Sequence, residues 1–75
     1  MAVRDRKNLI ALGQEISRQR KARGLSQQEL AEKIGVSTNY IGMVERGERA
    51  ANLLVLFDIA DALGVAVAGL FTASR

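Results

Sequence analysis

The chain has 75 residues and no Cys, His, Trp or Pro, which excludes disulfides, thiolate nucleophiles, His or Cys metal sites and imidazole acid–base catalysis. Hydrophobic residues at 48% and charged residues at 25% describe an ordinary globular chain, suited to one domain over residues 1–75 with one small core. The net charge is only +3, but it is unevenly spread, because residues 1–23 set Arg4, Arg6, Lys7, Arg18, Arg20, Lys21 and Arg23 against Asp5 and Glu15.

Residues 52–75 hold Arg75 against Asp58 and Asp61. The basic first part points to an anionic partner, nucleic acid or an acidic membrane surface, or else to a merely solvated helix face. The pattern is helical almost throughout, without alternating β-branched runs, so the expected class is all-α with five helices. Gly24, Gly35, Gly47 and Gly64 fall where helices should stop. The first helix is expected from about Asn8 to Arg23, with Leu9, Leu12, Ile16 and Arg20 on one face. Leu25 then turns back into the core. The second helix opens at Ser26, where Ser26-Gln27-Gln28-Glu29 reads as a capping box, and Leu30, Ala31 and Ile34 form its buried side. Gly35 makes a sharp turn that a Cβ would strain, with Val36 as its apolar residue. Ser37 is the next N-cap. The third helix runs to about Arg46, with Ile41 and Val44 inward and Tyr40 at the edge. Asn52 caps a fourth helix, Leu53 to Leu63, with Leu53, Leu56, Ile59, Ala60 and Leu63 inward. A short fifth helix, about Val67 to Thr72, brings Leu70 and Phe71 back to the body.

The informative stretch is about residues 26–46. Two short helices joined by a tight glycine turn cross at roughly 90–120°, and the residue at the crossing must be small. Ala31 stands four residues before Gly35, and Ile41 and Val44 plug the angle from the second helix of the pair. The segments Leu25-Ser26-Gln27-Gln28-Glu29-Leu30-Ala31 and Tyr40-Ile41-Gly42-Met43-Val44-Glu45-Arg46-Gly47 resemble the lambda-repressor/Cro type of helix-turn-helix, the XRE family. Asp58-Ile59-Ala60-Asp61-Ala62-Leu63-Gly64-Val65 is similar to the fourth helix of that family, so the resemblance covers about residues 8–71. The stretch from Asn39 to Arg49 is most like the controller proteins of restriction–modification systems. Family members commonly carry a proline before the fourth helix. Here the segment is Arg49-Ala50-Ala51-Asn52, which leaves the entry angle of that helix, and the geometry of a dimer, open.

A recognition helix presents its N-terminal residues to the major groove while the preceding helix crosses the backbone. Asn39 is suited to adenine and Thr38 to several bases or a thymine methyl, and the resemblance implies base contacts at both. Met43 is placed to touch a thymine methyl, with ordinary packing as the competing role, and Gly42 would allow close approach. Phosphate contacts are expected from Gln27, Gln28, Ser37, Tyr40, Arg46 and Arg49, with half-burial at the helix crossing as the competing role of Tyr40 and the two glutamines lying at the positive end of the second helix. The resemblance implies the phosphate role of Gln27, and also a structural ion pair between Arg20 and Glu45. Arg18, Lys21 and Arg23 add diffuse attraction at most.

One recognition helix reads few base pairs, at about 1–3 kcal/mol for each bidentate contact, so two copies on neighbouring half-sites are expected. The apolar region at about residues 53–72, to which Phe57 adds, supplies a dimer face through Leu54, Val55, Val65, Val67, Leu70 and Phe71, or else most of these residues complete a small core. No apolar run approaches the roughly 18 residues of a membrane span, and the N-terminal residues do not resemble a signal peptide. The resulting expectation is a cytoplasmic, nucleoid-associated homodimer that binds an operator in double-stranded DNA. It needs no cofactor or metal and is not an enzyme. RNA polymerase would be a further partner of an activator. The competing expectation is a helix-turn-helix used for protein contact, as in an antitoxin or a bridging cofactor.

Overall fold

The computed structural model describes the backbone of residues 3–74 and the side chains of residues 5–71. The side chains of Arg4 and Arg75, both counted in the charge asymmetry, lie outside the described residues. Four α-helices follow in order: α1 (Val3–Ala22), α2 (Gln27–Ile34), α3 (Thr38–Glu45) and α4 (Leu53–Leu63). A 3-10 helix, Val67–Ser74, ends the described chain, and no strand occurs among the described residues.

Two expectations about elements are corrected. α1 begins at Val3 rather than about Asn8, because Asp5 sits in its first turn, where a carboxylate favours the positive helix end, and the residues that follow are good helix formers. The fifth element is a 3-10 helix, not an α-helix. Its Val67 and Gly69 are poor α-formers, and the short segment has few bonds with which to overcome them.

The caps are those the sequence asks for. Ser26 Oγ accepts the Glu29 N–H at 3.0 Å, and the Ser26 N–H donates to Glu29 Oε1 at 2.8 Å. Ser37 Oγ accepts the Tyr40 N–H at 3.0 Å. Asn52 Oδ1 accepts the Val55 N–H at 2.9 Å, while Ala51 packs on the core, so α4 is entered without a proline. Gly35 closes α2 at φ 74°, ψ 34°, with its N–H donating to the Ala31 carbonyl. That left-handed position is accessible to glycine with little strain and turns the chain directly into α3.

The core joins Ile16 of α1, Leu30 and Ala31 of α2, Ile41 and Val44 of α3, four residues of α4 and Leu70. The α4 contribution is Leu56, Ile59, Ala60 and Leu63, which share one helical face. Leu53 was expected there too, but it is 61% exposed. It opens the helix, and a helical side chain leans towards the N-terminus, so Leu53 reaches past the core rather than into it.

Gly13 is a residue whose importance the helical pattern hides. A Cβ there would lie 2.4 Å from the Val44 carbonyl oxygen and 2.5 Å from that of Glu45. α1 therefore crosses the end of α3 backbone to backbone, and only a missing side chain permits the approach. Gly13→Ala forces two helices apart and is expected to cost about 1–3 kcal/mol, the usual penalty of overpacking. In thermal unfolding followed by circular dichroism this should appear as a loss on the order of 10 °C in Tm, whereas Gln14→Ala on the exposed side of α1 should change little.

Candidate nucleic-acid interface

The eight residues of α3 are too few to hold a helix alone. Packing and two anchors hold it. At its start, Ser37 caps the first turn. At its end, Gly47 at φ 74° allows the Gly47 N–H to reach the Val44 carbonyl at 3.1 Å and the Glu48 N–H to reach that of Met43 at 2.9 Å. The far anchor is ionic. Arg20 Nε donates to Glu45 Oε2 at 2.7 Å and Arg20 Nη2 to Glu45 Oε1 at 3.0 Å. The third guanidinium nitrogen, Nη1, donates to the Leu25 carbonyl at 2.7 Å. Both residues are buried, Arg20 to 7% and Glu45 to 8% exposure.

Burial alone would push the Glu45 carboxyl up. The hydrogen bonds from Arg20 and Gln27, the Arg20 charge and a bond from Ser17 outweigh it and hold Glu45 below the ordinary carboxylate range. Gln27 enters this network by donating from Nε2 to Glu45 Oε1 at 2.9 Å. Gln27 is thus tied to the brace while its side chain stays half-buried at the surface.

Thr38 and Asn39 stand exposed on the first turn of α3, and Met43 is half-buried one turn later, its sulfur 3.9 Å from Asn39 Nδ2. Gln28, Ser37 and Arg49 are exposed, and Tyr40 is half-buried. The Arg49 guanidinium lies 5.6 Å from the centre of the Tyr40 ring, a cation–π arrangement at the rim of α3. Gly42 is corrected. It is buried beneath neighbouring side chains, since a Cβ on it would meet Arg46 Nη1 at 3.0 Å and Gln27 Oε1 at 3.7 Å. Arg46 folds back along α3, over the glycine, and pairs with Glu48. Leu70 is corrected too. It is wholly buried in the chain's own core, so it offers no surface to a partner.

Two features escaped the sequence reading. Glu15, buried to 4%, accepts from Arg18 and from Gln19 Nε2, and Gln19 Nε2 also reaches the Gly69 carbonyl at 3.3 Å. This polar bridge docks the C-terminal 3-10 helix on α1. Its only sequence signal is the i, i+4 spacing of two polar residues within an apolar face. The second feature is the exposure of Leu53 at 61%, which adds it to the exposed apolar residues Leu54 at 75%, Phe57 at 48% and Phe71 at 41%. Lys21 and Arg23 remain at the surface. Among the described residues no group of His, Cys, Asp or Glu is arranged to hold a metal ion, and no helix is long and apolar enough to cross a membrane.

A helix-turn-helix family model matches residues 16–70, which include α2, α3 and α4. The chain belongs to the helix-turn-helix family, in its XRE type. As a solved structure, the restriction–modification controller protein C.AhdI of Aeromonas hydrophila superposes with a TM-score of 0.82 at 40% identity, covering 84% of this chain and 96% of that one. The control protein C.SmaI of Serratia marcescens is 41% identical over 81% of this chain and 73% of its own. An uncharacterized HTH-type transcriptional regulator of Sinorhizobium fredii is 36% identical over 81% of this chain and 79% of its own. The chain thus has the fold of transcriptional regulators, and these relatives are named as regulators rather than as enzymes.

The brace makes a definite demand on stability. Arg20→Met strands a buried carboxylate and should cost about 3–5 kcal/mol, whereas the double variant Arg20→Met with Glu45→Leu removes both charges and should lose clearly less. Glu45 is lowered in the folded state, so its contribution is present above the ordinary glutamate range, about pH 4.3. It is lost as pH falls through the lowered value. Urea titrations across pH 2–7 should show wild-type stability falling at the acid end, with the double variant falling less steeply.

Proposed function

We propose that the chain is a sequence-specific regulator of transcription that binds double-stranded DNA. In this reading it binds operator half-sites as a homodimer, with α3 in the major groove, in the manner of a restriction–modification controller. The observation that carries this is the rigid presentation of Thr38 and Asn39. Both side chains are exposed on a helix that a cap fixes at one end and a buried ion pair fixes at the other. A reading head of this kind places donors and acceptors before binding, so little ordering is left to oppose association. The amide end of α2, with Gln27 and Gln28, and the rim formed by Ser37, Tyr40, Arg46 and Arg49 lie in the chain segments that flank it and are suited to phosphate. The homology to named controller proteins supports the same reading.

The roles separate experimentally. Asn39→Ala should cost about 1–3 kcal/mol on the operator and relax the preference at one base pair. Arg49→Ala should weaken binding to all sequences alike. Site selection from random duplexes, followed by anisotropy titrations on selected and scrambled DNA, reads both. Equal losses on both duplexes for both variants would contradict the base-reading role of Asn39.

The dimer face is assigned to Leu53, Leu54 and Phe57 of α4 with Phe71, bordered by the half-buried Val55, Val65 and Val67. Leu53, Leu54 and Phe57 form a side of α4 that flanks its core face, and their exposure makes a partner surface on so small a chain. Sedimentation should give a dimer at micromolar concentration. Phe57→Asp should give a folded monomer that binds a half-site weakly. A wild-type monomer at tens of micromolar would instead favour contact with a different protein.

A further inference from the structure

A cleft of about 400 Å³ opens where the start of α1 meets the turn after α3, lined by Arg6, Ile10, Arg46, Gly47 and Glu48. Its floor is a close approach: a Cβ on Gly47 would lie 2.7–2.8 Å from Ile10. Its two cationic side chains come from elements far apart in sequence, yet an internal anion already occupies one of them. Arg46 Nε donates to Glu48 Oε2 at 3.0 Å and Arg46 Nη2 to Glu48 Oε1 at 3.2 Å. This two-pronged geometry is the one in which a guanidinium takes a phosphate. Thr38, Gly42 and Arg46 are spaced four residues apart, so Arg46 continues the line of the exposed first turn of α3.

We propose that Glu48 is a built-in competitor for nucleic-acid phosphate, clasping Arg46 in this cleft until a backbone phosphate replaces its carboxylate. The inference rests on the DNA-binding reading above. The competitor is well placed. The Glu48 N–H is bonded to the Met43 carbonyl, which fixes its backbone at the end of the recognition helix. It is also exchangeable. The two side chains are 54% and 55% exposed, and an ion pair in water is weak enough for a phosphate to displace. Phosphate contacts supply nearly all of the non-specific affinity for DNA and a large share of the specific affinity. Masking one arginine therefore lowers binding to every duplex and raises the protein concentration at which DNA is occupied, without touching the base-reading residues.

The test uses anisotropy titrations of wild type, Glu48→Gln, Arg46→Ala and the double variant on a mixed-sequence DNA duplex over a salt series. Glu32→Gln, an exposed carboxylate on α2, controls for the change in net charge. Removing the competitor should tighten binding by about 3–5-fold and steepen the dependence of log K on log salt by up to roughly one unit. Glu32→Gln should gain clearly less, and the gain from Glu48→Gln should vanish when Arg46 is Ala. If wild type binds the duplex but Glu48→Gln gains no more than Glu32→Gln, or gains equally without Arg46, the competitor role is overturned and DNA binding stands. If wild type binds no duplex, specific or mixed, the DNA-binding reading itself falls, and this inference with it. Equal melting temperatures of wild type and Glu48→Gln verify that the comparison is between folded proteins.

Discussion

The structure depends on one buried fork of hydrogen bonds. α3 is eight residues long, and such a helix has no independent stability in water. Its last residue is a carboxylate, Glu45, at the end where the helix dipole is negative and where burial also opposes charge. Left alone, this is among the worst places for a glutamate. Arg20 reverses the balance, because its planar guanidinium satisfies both carboxylate oxygens and still has a donor for the Leu25 carbonyl. One side chain therefore ties α1, the turn before α2 and the end of α3. An apolar pair of similar volume could be as stable or more so. It would not set the rotation of α3 about its own axis. Two parallel N–H···O bonds do set it, and rotation decides which side chains of a short helix face outward.

Glycine sets the distances as the ion pair sets direction. Gly13 brings α1 against the final carbonyls of α3, and Gly47 brings the following turn against Ile10. Both contacts are made at the C-terminal end of α3. The exposed end, from Ser37 to Asn39, is held only by its cap and by the turn at Gly35. The helix is thus clamped at one end and displayed at the other. That polarity is what a reading head requires, since a groove admits only the end that nothing else covers.

Much of this was legible in the residues. The glycine stops and the Ser, Ser and Asn caps obey local chemistry, with the partners close in sequence, so the helix boundaries from α2 to α4 follow from the sequence within a residue or so. The spacing of Ala31, Gly35, Ile41 and Val44 carries the turn for the same reason. What was hidden depends on contacts between distant segments. Nothing local distinguishes Gly13 from a tolerated helical glycine until α3 lies 25 or more residues away in sequence yet against it. Leu53 fits the inward stripe by spacing and fails because the stripe runs off the end of the core. Leu70 and Phe71 are adjacent apolar residues, and only the placement of the last segment, fastened by Gln19 to the Gly69 carbonyl, buries one and exposes the other. In the interface, residue types announced what could touch DNA. They did not announce that Gln27 is shared with the Glu45 brace or that Arg46 is folded over Gly42.

These two entanglements bear on how the interface works as a unit. In a chain this small, side chains suited to phosphate cannot be kept apart from the framework. Gln27 has one amide, and one of its two N–H donors already serves Glu45, which leaves the other N–H and the backbone amides of the first turn of α2 as donors. Arg46 has Nε and Nη2 engaged by Glu48, so under the proposed exchange a phosphate would take the place of that carboxylate. Thr38 and Asn39 carry no such commitment to the core, being exposed and bonded, where bonded at all, only weakly to Met43. Under the proposed reading, the residues that would choose the sequence are independent of those that hold the fold, whereas those that would set affinity are coupled to it. Changes at Thr38 or Asn39 could then alter the site recognised without disturbing the scaffold, and changes at Gln27 would alter binding and stability together. A small regulator diverging to new operators would accordingly move at the first turn of α3 and keep the brace.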